Sequence, residues 1–504
     1  MGLGAGVGDG SWWTGMSTLG AGECCVDPVV VFNPAPFGRD ELIRFKIWNR
    51  ELPDLVTVRD PEGKVAAGQV IERGNYWGHS FAVVAFKANA LPALGYRAYV
   101  IEPVPPGDDD RRGTGPRPTD RRDACPTGAW VRETGRPLYG LGYVQAQPLN
   151  PVVLENEHLE LTVSSDAGGI VSLVDKPSGA DLALGIIGAV EREQEAPHGM
   201  TAWQLGPIVD RALPLANGTL TVTQNGPNLA AVRLDGKHND STYALTISLA
   251  AGSRQIGFDL DVNWLERGEP ATGVPALRVS FPMALSEDGK ATFEIANGSI
   301  EREADGEEAP ALNWVDLAGP GLFHEDGAEI GATLVNNSKY GHQVSGDTIR
   351  LTLLRSSHDP DPLPEIGAHH ISFTLIPRVG GFDVAEATRQ GYAFNHPCVP
   401  IGTTLHEGDL AAEQSLVEVI TPNVMFASLK QAEDSEALVI RLYEMTGQET
   451  VAQVSISDLL CNPNATAVET DIMEQPLAES SANMWDGVLS VTVPAFGIAA
   501  VKVG

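Results

Sequence analysis

The sequence predicts an all-β protein with many turns and few helices. Glycine and proline contribute 54 and 35 of the 504 residues, nearly a fifth of the chain against about 12% on average. Many short stretches alternate apolar and polar side chains, the period of a strand with one buried face. Long stretches with a helical period are rare. Together these observations favour an all-β fold whose strands are connected by many turns.

Charge and hydropathy exclude several classes of partner. The formal net charge is −32, with 66 acidic side chains, so the chain would repel nucleic acid and anionic membrane surfaces. No run of about 18 apolar residues is present, so no segment is expected to span a bilayer. Neutral sugars are not excluded.

Five scattered cysteines indicate reduced thiols. They include no Cys-x-x-Cys pair, which argues against a disulfide framework and against a structural zinc site; they are Cys24, Cys25, Cys125, Cys398 and Cys461. The N-terminal stretch lacks a basic region and an uninterrupted apolar core, so it does not resemble a signal peptide. We therefore expect a cytoplasmic protein.

Changes in composition and in hydrophobic periodicity divide the chain into five segments. Residues 1–26 are rich in glycine and aperiodic, which predicts a disordered leader. Residues 27–104 alternate in short strands, which predicts a small β-sandwich. Residues 105–148 mix opposite charges with Gly and Pro and contain little to bury, so we expect a flexible linker or insertion.

The second half of the chain continues the strand pattern. Residues 149–400 form the largest segment, with strand after strand separated by Asn-Gly and Asp-Gly turns. One short helix is expected near its end, N-capped by Asp383. Residues 401–504 read as a C-terminal β-sandwich. No repeat of fixed period indicates a propeller or a solenoid.

Residues 333–378 contain the polar loops that most resemble a binding site. Three strands are expected here, because Ile349, Leu351 and Leu353 alternate with polar residues. The turn at 336–341 is predicted to hold Lys339, Tyr340 and His342 away from the sheet. A proline-rich loop at 356–362 and the pair His369 and His370 follow. Polar loops on a rigid sheet commonly build sites.

The same stretch resembles a known family. Ser-Lys-Tyr-Gly at 338–341, Arg-Leu-Thr-Leu-Leu-Arg-Ser-Ser at 350–357, Asp-Pro-Asp-Pro at 359–362 and Gly367 with His369 are similar to the C-terminal region of glycoside hydrolase family 38, the α-mannosidases. Asn337 stands where that family usually has Asp, and His358 where it commonly has an aromatic residue or Pro.

Three further stretches carry the resemblance. Residues 155–176, with their Gly-Gly-Ile hairpin and Leu-Val-Asp-Lys turn, resemble a strand pair of that family and of the galactose-mutarotase-like supersandwich more widely. Residues 440–447 and the Pro-Ala-Phe-Gly-Ile run at 494–498 resemble its terminal β-domain. The resemblance therefore implies a small β-sandwich, a large galactose-mutarotase-like supersandwich and a C-terminal β-sandwich.

The resemblance also implies an activity for the complete enzyme. Family 38 enzymes hydrolyse terminal α-mannosides with retention and use zinc, and their nucleophilic Asp and metal-binding His-x-His-x-Asp motif lie in an N-terminal barrel. This sequence contains no His-x-His-x-Asp, and no βα alternation precedes Val29. His369 and His370 are adjacent, so on a strand they point to opposite faces and chelate one ion poorly. We therefore expect neither catalytic residues nor zinc ligands in this chain, which would be inactive alone.

By the same resemblance, the chain would brace the catalytic barrel and supply loops at the substrate rim. Its candidate substrate-binding residues are Tyr340, Asp361 and His369, with Lys339 and Arg355 behind them. A purely structural role is the alternative for each. The expected partners are an α-mannoside or another carbohydrate and the catalytic barrel, and a homo-oligomer is left open.

Two other interpretations come from different classes of protein. The first is a non-catalytic carbohydrate-binding or scaffold protein, whose signature would be exposed Trp and Tyr platforms. The second is a reading frame truncated upstream, with the barrel encoded elsewhere.

Overall fold

A computed structural model describes residues 26–103, 128–133, 136–137, 150–286, 289–322 and 328–504. The predicted leader, except Val26, and most of the predicted linker lie outside these ranges. The described residues form two compact units. The first contains residues 26–103, Ala296–Ser299 and Val384–Gly504, and the second contains the described residues of Cys125–Ile295 and Ile300–Asp383.

The first unit begins with one eight-stranded antiparallel sheet. Its order is β2-β5-β4-β3-β6-β1-β28, and β29 also pairs with β6. The strands are β1 (Asp27–Asn33), β2 (Arg39–Trp48), β3 (Leu55–Arg59), β4 (Val65–Tyr76), β5 (His79–Leu91), β6 (Gly95–Pro103), β28 (Val399–Gly402) and β29 (Glu413–Ser415).

Alternating apolar residues give this sheet one buried face. Phe45 on β2, together with Val84 and Phe86 on β5, is fully buried in its core. Strand β1 lies between β6 and β28, so residues from the far end of the chain complete the sheet.

The unit also contains the helix that the sequence predicted. Helix α1 (Val384–Asn395) follows Asp383 directly, in agreement with the expected position. It buries small residues, and Ala385 packs with Met425 and Met445.

Two four-stranded sheets form the C-terminal sandwich of the first unit. Their orders are β30-β33-β36-β35 and β31-β32-β37-β34. The strands are β30 (Val417–Val419), β31 (Val424–Gln431), β32 (Leu438–Glu444), β33 (Thr450–Ile456), β34 (Ala467–Thr470), β35 (Asn483–Trp485), β36 (Val488–Val493) and β37 (Ile498–Val503).

A nine-stranded antiparallel sheet forms one layer of the second unit. Its order is β15-β16-β17-β18-β27-β24-β23-β20-β21. The strands are β15 (Thr219–Asn225), β16 (Leu229–His238), β17 (Ser241–Ala250), β18 (Ile256–Trp264), β20 (Lys290–Ile295), β21 (Gly298–Arg302), β23 (Trp314–Pro320), β24 (Glu329–Asn336) and β27 (Gly367–Val379).

Two six-stranded sheets complete the second unit. Their orders are β12-β11-β10-β9-β7-β8 and β14-β13-β19-β26-β25-β22. The strands are β7 (Trp130–Glu133), β8 (Arg136–Pro137), β9 (Val152–Glu155), β10 (Leu159–Ser164), β11 (Gly169–Asp175), β12 (Ala180–Asp181), β13 (Ala189–Glu195), β14 (Ile208–Ala212), β19 (Val274–Pro282), β22 (Asp305–Pro310), β25 (Gly341–Ser345) and β26 (Thr348–Arg355). Strands β7 and β8 lie within the predicted linker.

Aromatic side chains join two of these sheets. Phe258 on β18 stacks on Phe373 of the neighbouring strand, with ring centroids 5.3 Å apart, and meets Phe281 of β19 edge-on at 5.6 Å. All three rings are buried, as expected for a sandwich core built from alternating strands. The all-β prediction, with several sandwiches, is confirmed. Within the described ranges, no helix has the length and apolar character needed to cross a bilayer.

Candidate substrate-rim site

All five candidate rim residues lie at one end of the second unit. Strand β25 runs antiparallel to β26, so its first residue lies towards the end of β26 that carries Arg355; the register pairs His342 with Leu351. Strand β27 runs antiparallel to β24, which places its start, with His369, at the end where β24 finishes. The connections 337–340 and 356–366 therefore emerge together.

The turn after β24 is organised by a buried amide. The Asn336 side-chain oxygen accepts hydrogen bonds from the backbone N–H groups of Ser338 (3.1 Å) and Lys339 (2.7 Å). This Asx-type turn leaves Tyr340 exposed at the surface. The ring of Tyr340 is thus available to a ligand or a partner.

His342 was expected beside these residues in the turn, and that expectation is wrong. The residue belongs to β25 and is fully buried, because the alternation puts it on the same face as buried Val344. Its Nδ1 donates to the carbonyl oxygen of Tyr340 (3.1 Å), and its Nε2 accepts from the Asn336 amide (3.3 Å). Burial lowers the pKa of His342 to about 4. His342 therefore supports the turn as a neutral ring.

Arg355 fastens a second loop to the end of β26. Its guanidinium donates to both carboxylate oxygens of Glu195, at 2.6 and 2.8 Å, and to the backbone carbonyls of Thr201 and Gln204. Such bidentate pairs fix geometry as well as adding energy. Arg355 thus holds the loop 196–207 in place, and its candidate role in substrate binding stays a prediction.

Glu195 receives further donors. His198 Nε2 lies 2.9 Å from its carboxylate, and the Gly206 N–H donates at 2.7 Å. Burial by itself would raise the pKa of Glu195, but these bonds and Arg355 outweigh it and lower the pKa. Glu195 is therefore a charged anchor whose oxygens are occupied by protein donors.

Hydrogen bonds to backbone groups connect the loop 356–366 to the loop 196–207. The Thr201 hydroxyl accepts from the N–H groups of His358 and Asp359, both at 3.0 Å. The Ala202 N–H donates to the carbonyl of Asp359 at 3.0 Å. Asp361 is exposed, and its carboxylate caps the Leu363 N–H at 3.1 Å. Asp361 therefore faces solvent from a loop that is held at both ends.

Lys339 and His369 both interact with Glu365. The Glu365 carboxylate acts on the charge of Lys339, although burial dominates and lowers the Lys339 pKa. His369 Nε2 donates to the backbone carbonyl of Glu365 at 2.6 Å. The structure thus brings Lys339 and His369 into one neighbourhood.

His370 faces a different set of partners from His369. Its Nδ1 lies 2.8 Å from Asp261 on β18, and its Nε2 lies 3.3 Å from the Ser372 hydroxyl. An open cleft of ≈ 620 Å³ runs over this face of the nine-stranded sheet. Its polar lining consists of Arg233, Asp235, Thr242, Asp261, Asn263, His369 and His370.

Sequence reasoning missed several residues of this region. Glu195 lies 160 positions from its partner Arg355, and Asp261 lies 109 positions from its partner His370. Only the strand pairing brings them together, so no local motif marked them.

That this chain contains no zinc ligands stays a prediction from its sequence. Among the described residues, no three His, Cys, Asp or Glu side chains form a cluster that could hold a metal ion.

Comparisons with known proteins identify the domains. Residues 154–363 match the model of the Glycosyl hydrolases family 38 C-terminal domain, and residues 423–500 match that of the family 38 C-terminal beta sandwich domain. Together the two models cover more than half of the chain.

Curated relatives extend the match over most of the chain. Alpha-mannosidase 2C1 of Homo sapiens is 26% identical over 441 residues, covering 83% of this chain and 37% of the relative. Alpha-mannosidase G of Dictyostelium discoideum is 23% identical over 355 residues, covering 68% and 31%. The chain thus spans about a third of the length of these relatives.

Two solved structures share the fold. A family 38 glycosyl hydrolase and an α-mannosidase from Enterococcus faecalis both give a TM-score of 0.67, at 16% and 14% identity. The two alignments include 95% and 96% of this chain. They include 58% and 56% of the respective solved chains. The chain contains the C-terminal β-domains of glycosyl hydrolase family 38 and belongs to that family through them.

Proposed function

We propose that this chain is the C-terminal part of an α-mannosidase, in which it braces the catalytic barrel and supplies loops at the substrate rim. The family membership and the names of the curated relatives support the activity. In this proposal the barrel provides the zinc and the catalytic carboxylates for retaining hydrolysis. A cytoplasmic location remains a prediction from the cysteine pattern.

The observation that carries the bracing role is the apolar surface of the two clasped loops. Trp203 is 67% exposed, and Met200 and Leu205 on the same loop are about half exposed. Leu363 on the loop 356–366 is also about half exposed. Clustered apolar side chains on a polar, strongly acidic protein are typical of a surface that another domain covers.

The rim role rests on the polar groups beside this surface. Tyr340 and Asp361 are exposed, and Lys339 and His369 lie around Glu365. A phenol, a carboxylate, an ammonium and an imidazole offer both donors and acceptors for sugar hydroxyls. They would orient an α-mannoside without taking part in bond cleavage.

Mixing the chain with an N-terminal catalytic fragment of a family 38 α-mannosidase tests the proposal. With zinc present, we expect hydrolysis of p-nitrophenyl α-mannoside to rise at least tenfold over that of the fragment alone. Trp203→Ala should weaken the association of the two polypeptides, measured by ultracentrifugation. Tyr340→Phe should raise KM without weakening association.

Leu410→Ala is a matched control, because Leu410 is as exposed as Trp203 but lies in the first unit. It should leave both readouts unchanged. The proposal fails if the fragment gains neither activity nor a bound partner. It also fails if the chain alone hydrolyses the mannoside and loses that activity when one of its own carboxylates is replaced.

A further inference from the structure

A tryptophan occupies a strained position at the tip of the β4–β5 hairpin. Tyr76 pairs with His79, so the turn consists of Trp77 and Gly78 alone. Their φ angles are +50° and +82°, the left-handed values of a two-residue type I′ turn. Such turns favour Asn-Gly or Asp-Gly, and a bulky residue at positive φ is a true outlier.

Packing does not account for this strain. Trp77 is 84% exposed, so its indole gains little from the core of the sheet. Its main aromatic neighbour is Tyr76, with ring centroids 6.4 Å apart. Strained residues that nothing in the fold requires are concentrated at functional sites.

Further aromatic rings lie behind the tip on the same, outer face of the sheet. Trp48 and Phe81 are cross-strand neighbours with ring centroids 5.3 Å apart. The Lys46 ammonium lies 4.5 Å from the Phe81 ring and 5.2 Å from the Trp48 ring. Phe81 covers Gly74, where an added Cβ would come within 2.4 Å of the ring. We call Trp48, Tyr76, Trp77 and Phe81 the aromatic platform.

Two exposed amides lie close to the aromatic platform, one beside Tyr76 in the chain and one beside Trp48. Asn75 and Asn49 are exposed amides, each held in place by one bond, to the Gly78 N–H and to His79 Nδ1, both at 3.1 Å. Together with Lys46 they offer donors and acceptors around a projecting flat ring. That combination suits a ligand with one apolar face and hydroxyl groups around its edge.

We propose that the aromatic platform is a binding site for a neutral saccharide, independent of the rim loops. A pyranose ring has an apolar C–H face that packs on an indole, and hydroxyls that pair with amides and ammonium groups. Nucleobases also stack on aromatic rings, but the net charge of −32 opposes nucleic acid. A protein partner would need about 800 Å² of surface, far more than one projecting indole and its neighbours.

Titration of the full chain with α-mannotriose, cellotriose and xylotriose tests the site. At least one should perturb the signal of a single indole N–H in NMR spectra, and Trp77→Ala should remove that signal and weaken binding about tenfold or more. Trp485→Ala is the matched control, since Trp485 is 73% exposed beside an Asp486-Gly487 turn of the same type. It should bind as the unaltered chain does.

A second variant separates binding from folding. Trp77→Asn creates the favoured Asn-Gly turn, so we expect its melting temperature to rise while saccharide binding is lost. The proposal is overturned if none of the three saccharides binds, or if Trp77→Ala and Trp77→Asn bind as well as the unaltered chain. Because the titration needs no catalytic fragment, its outcome is independent of the mannosidase test.

Discussion

Two buried ionisable side chains near the rim respond to pH in opposite directions. Burial lowers the pKa of His342 to about 4, below the usual value of about 6.5. Burial also raises the pKa of Glu294 from 4.5 to about 7, against the hydrogen bond that its carboxylate accepts from the Asn313 N–H. Asn313 also bonds to Asn336, which contacts His342, so the two groups belong to one buried network.

The sign of each contribution follows from which state binds the proton. Between pH 6.5 and 4 the unfolded chain protonates His342 more readily, so stability falls as pH falls. Between pH 4.5 and 7 the folded chain holds a proton on Glu294 that the unfolded chain has lost, so stability falls as pH rises. From pH 4.5 to 6.5 the two slopes oppose each other, each with a full effect of about 3 kcal/mol.

Single substitutions should therefore reveal the pH dependence of stability that each side chain contributes. The free energy of unfolding of His342→Gln is compared with that of the unaltered chain at the same pH. As pH falls from 7 to 4, we expect this difference to shift by about 3 kcal/mol in favour of the variant, because only the unaltered chain loses stability through His342. For Glu294→Gln the corresponding difference should worsen as pH falls from 7 to 4.5. Urea unfolding across this range measures both. Parallel curves for all three proteins would contradict the assignment.

At the scale of single residues, sequence reasoning identified chemistry but not contacts. It selected Arg355 from a local motif, yet its partner Glu195 is 160 positions away. It treated His342 as part of an exposed turn because it did not place the start of β25 at Gly341. The exposure of Tyr340 and Asp361, by contrast, follows from the turn and proline signals around them.

At the scale of elements, the Arg355–Glu195 pair joins the loop 196–207 to β26. Arg355→Ala would leave the buried Glu195 carboxylate without its main counter-charge, which we expect to cost about 3 kcal/mol. Backbone amides of the loop, including Ala202 and Gly206, should exchange with solvent faster. Hydrogen exchange followed by mass spectrometry measures this local effect.

An exposed ion pair on the same unit provides the control for that change. Arg233 and Asp235 pair at 2.9 Å, but both side chains are 43% exposed. Arg233→Ala should therefore cost less than about 1 kcal/mol and leave the loop amides unchanged. Equal losses from the two substitutions would show that the Arg355 clasp has no special role.

A second carboxylate organises the C-terminal sandwich. Glu444 is fully buried and accepts hydrogen bonds from the backbone N–H groups of Thr446, Gly447, Gln448 and Phe496, at 2.7 to 3.1 Å. Burial opposes its charge, but these donors outweigh burial and lower its pKa to about 2. The Tyr-Glu and Pro-Ala-Phe-Gly segments, which the sequence only matched to a family pattern, thus meet at one anion-binding turn.

Replacing this carboxylate should destabilise the sandwich in a pH-dependent way. Glu444→Gln is expected to lower the free energy of unfolding by about 2–3 kcal/mol at pH 7, because the charged hydrogen bonds are lost. The folded pKa is depressed, so the stabilisation is complete above pH 4.5 and disappears as pH falls towards 2. Denaturant titrations at pH 7 and pH 3 measure the difference. The exposed Glu449 lies beside the same turn, and Glu449→Gln should change neither value.

The elements themselves were largely predictable, whereas their partners were not. Period-two alternation located β10, β26 and β32, and Asp383 located the start of α1. Alternation specifies a buried face but not the neighbouring strand. Nothing local therefore showed that β28 pairs with β1 across more than 360 residues.

At the scale of the whole molecule, the two units differ in how they are connected. The described strands of the second unit lie between Trp130 and Val379 and pair with one another. Only the first two residues of β21 are assigned to the first unit. The first unit joins residues 26–103 to Val384–Gly504, and β28 and β29 pair with β1 and β6 of its first sheet. The sequence order alone suggested separate sandwiches at 27–104 and 401–504.

This connectivity predicts how fragments should behave. A fragment of residues 126–383 keeps nearly all of its strand partners, so we expect a cooperative thermal transition and dispersed NMR signals. A fragment of residues 26–103 leaves β1 and β6 without β28 and β29, exposing backbone groups and the apolar face beside them. It should be largely unfolded alone and should gain structure when mixed with residues 384–504. If it instead melted alone at the temperature of the full chain, the strands from the C-terminal part would be dispensable, and the first unit would not be the cooperative body that its sheet pairing implies.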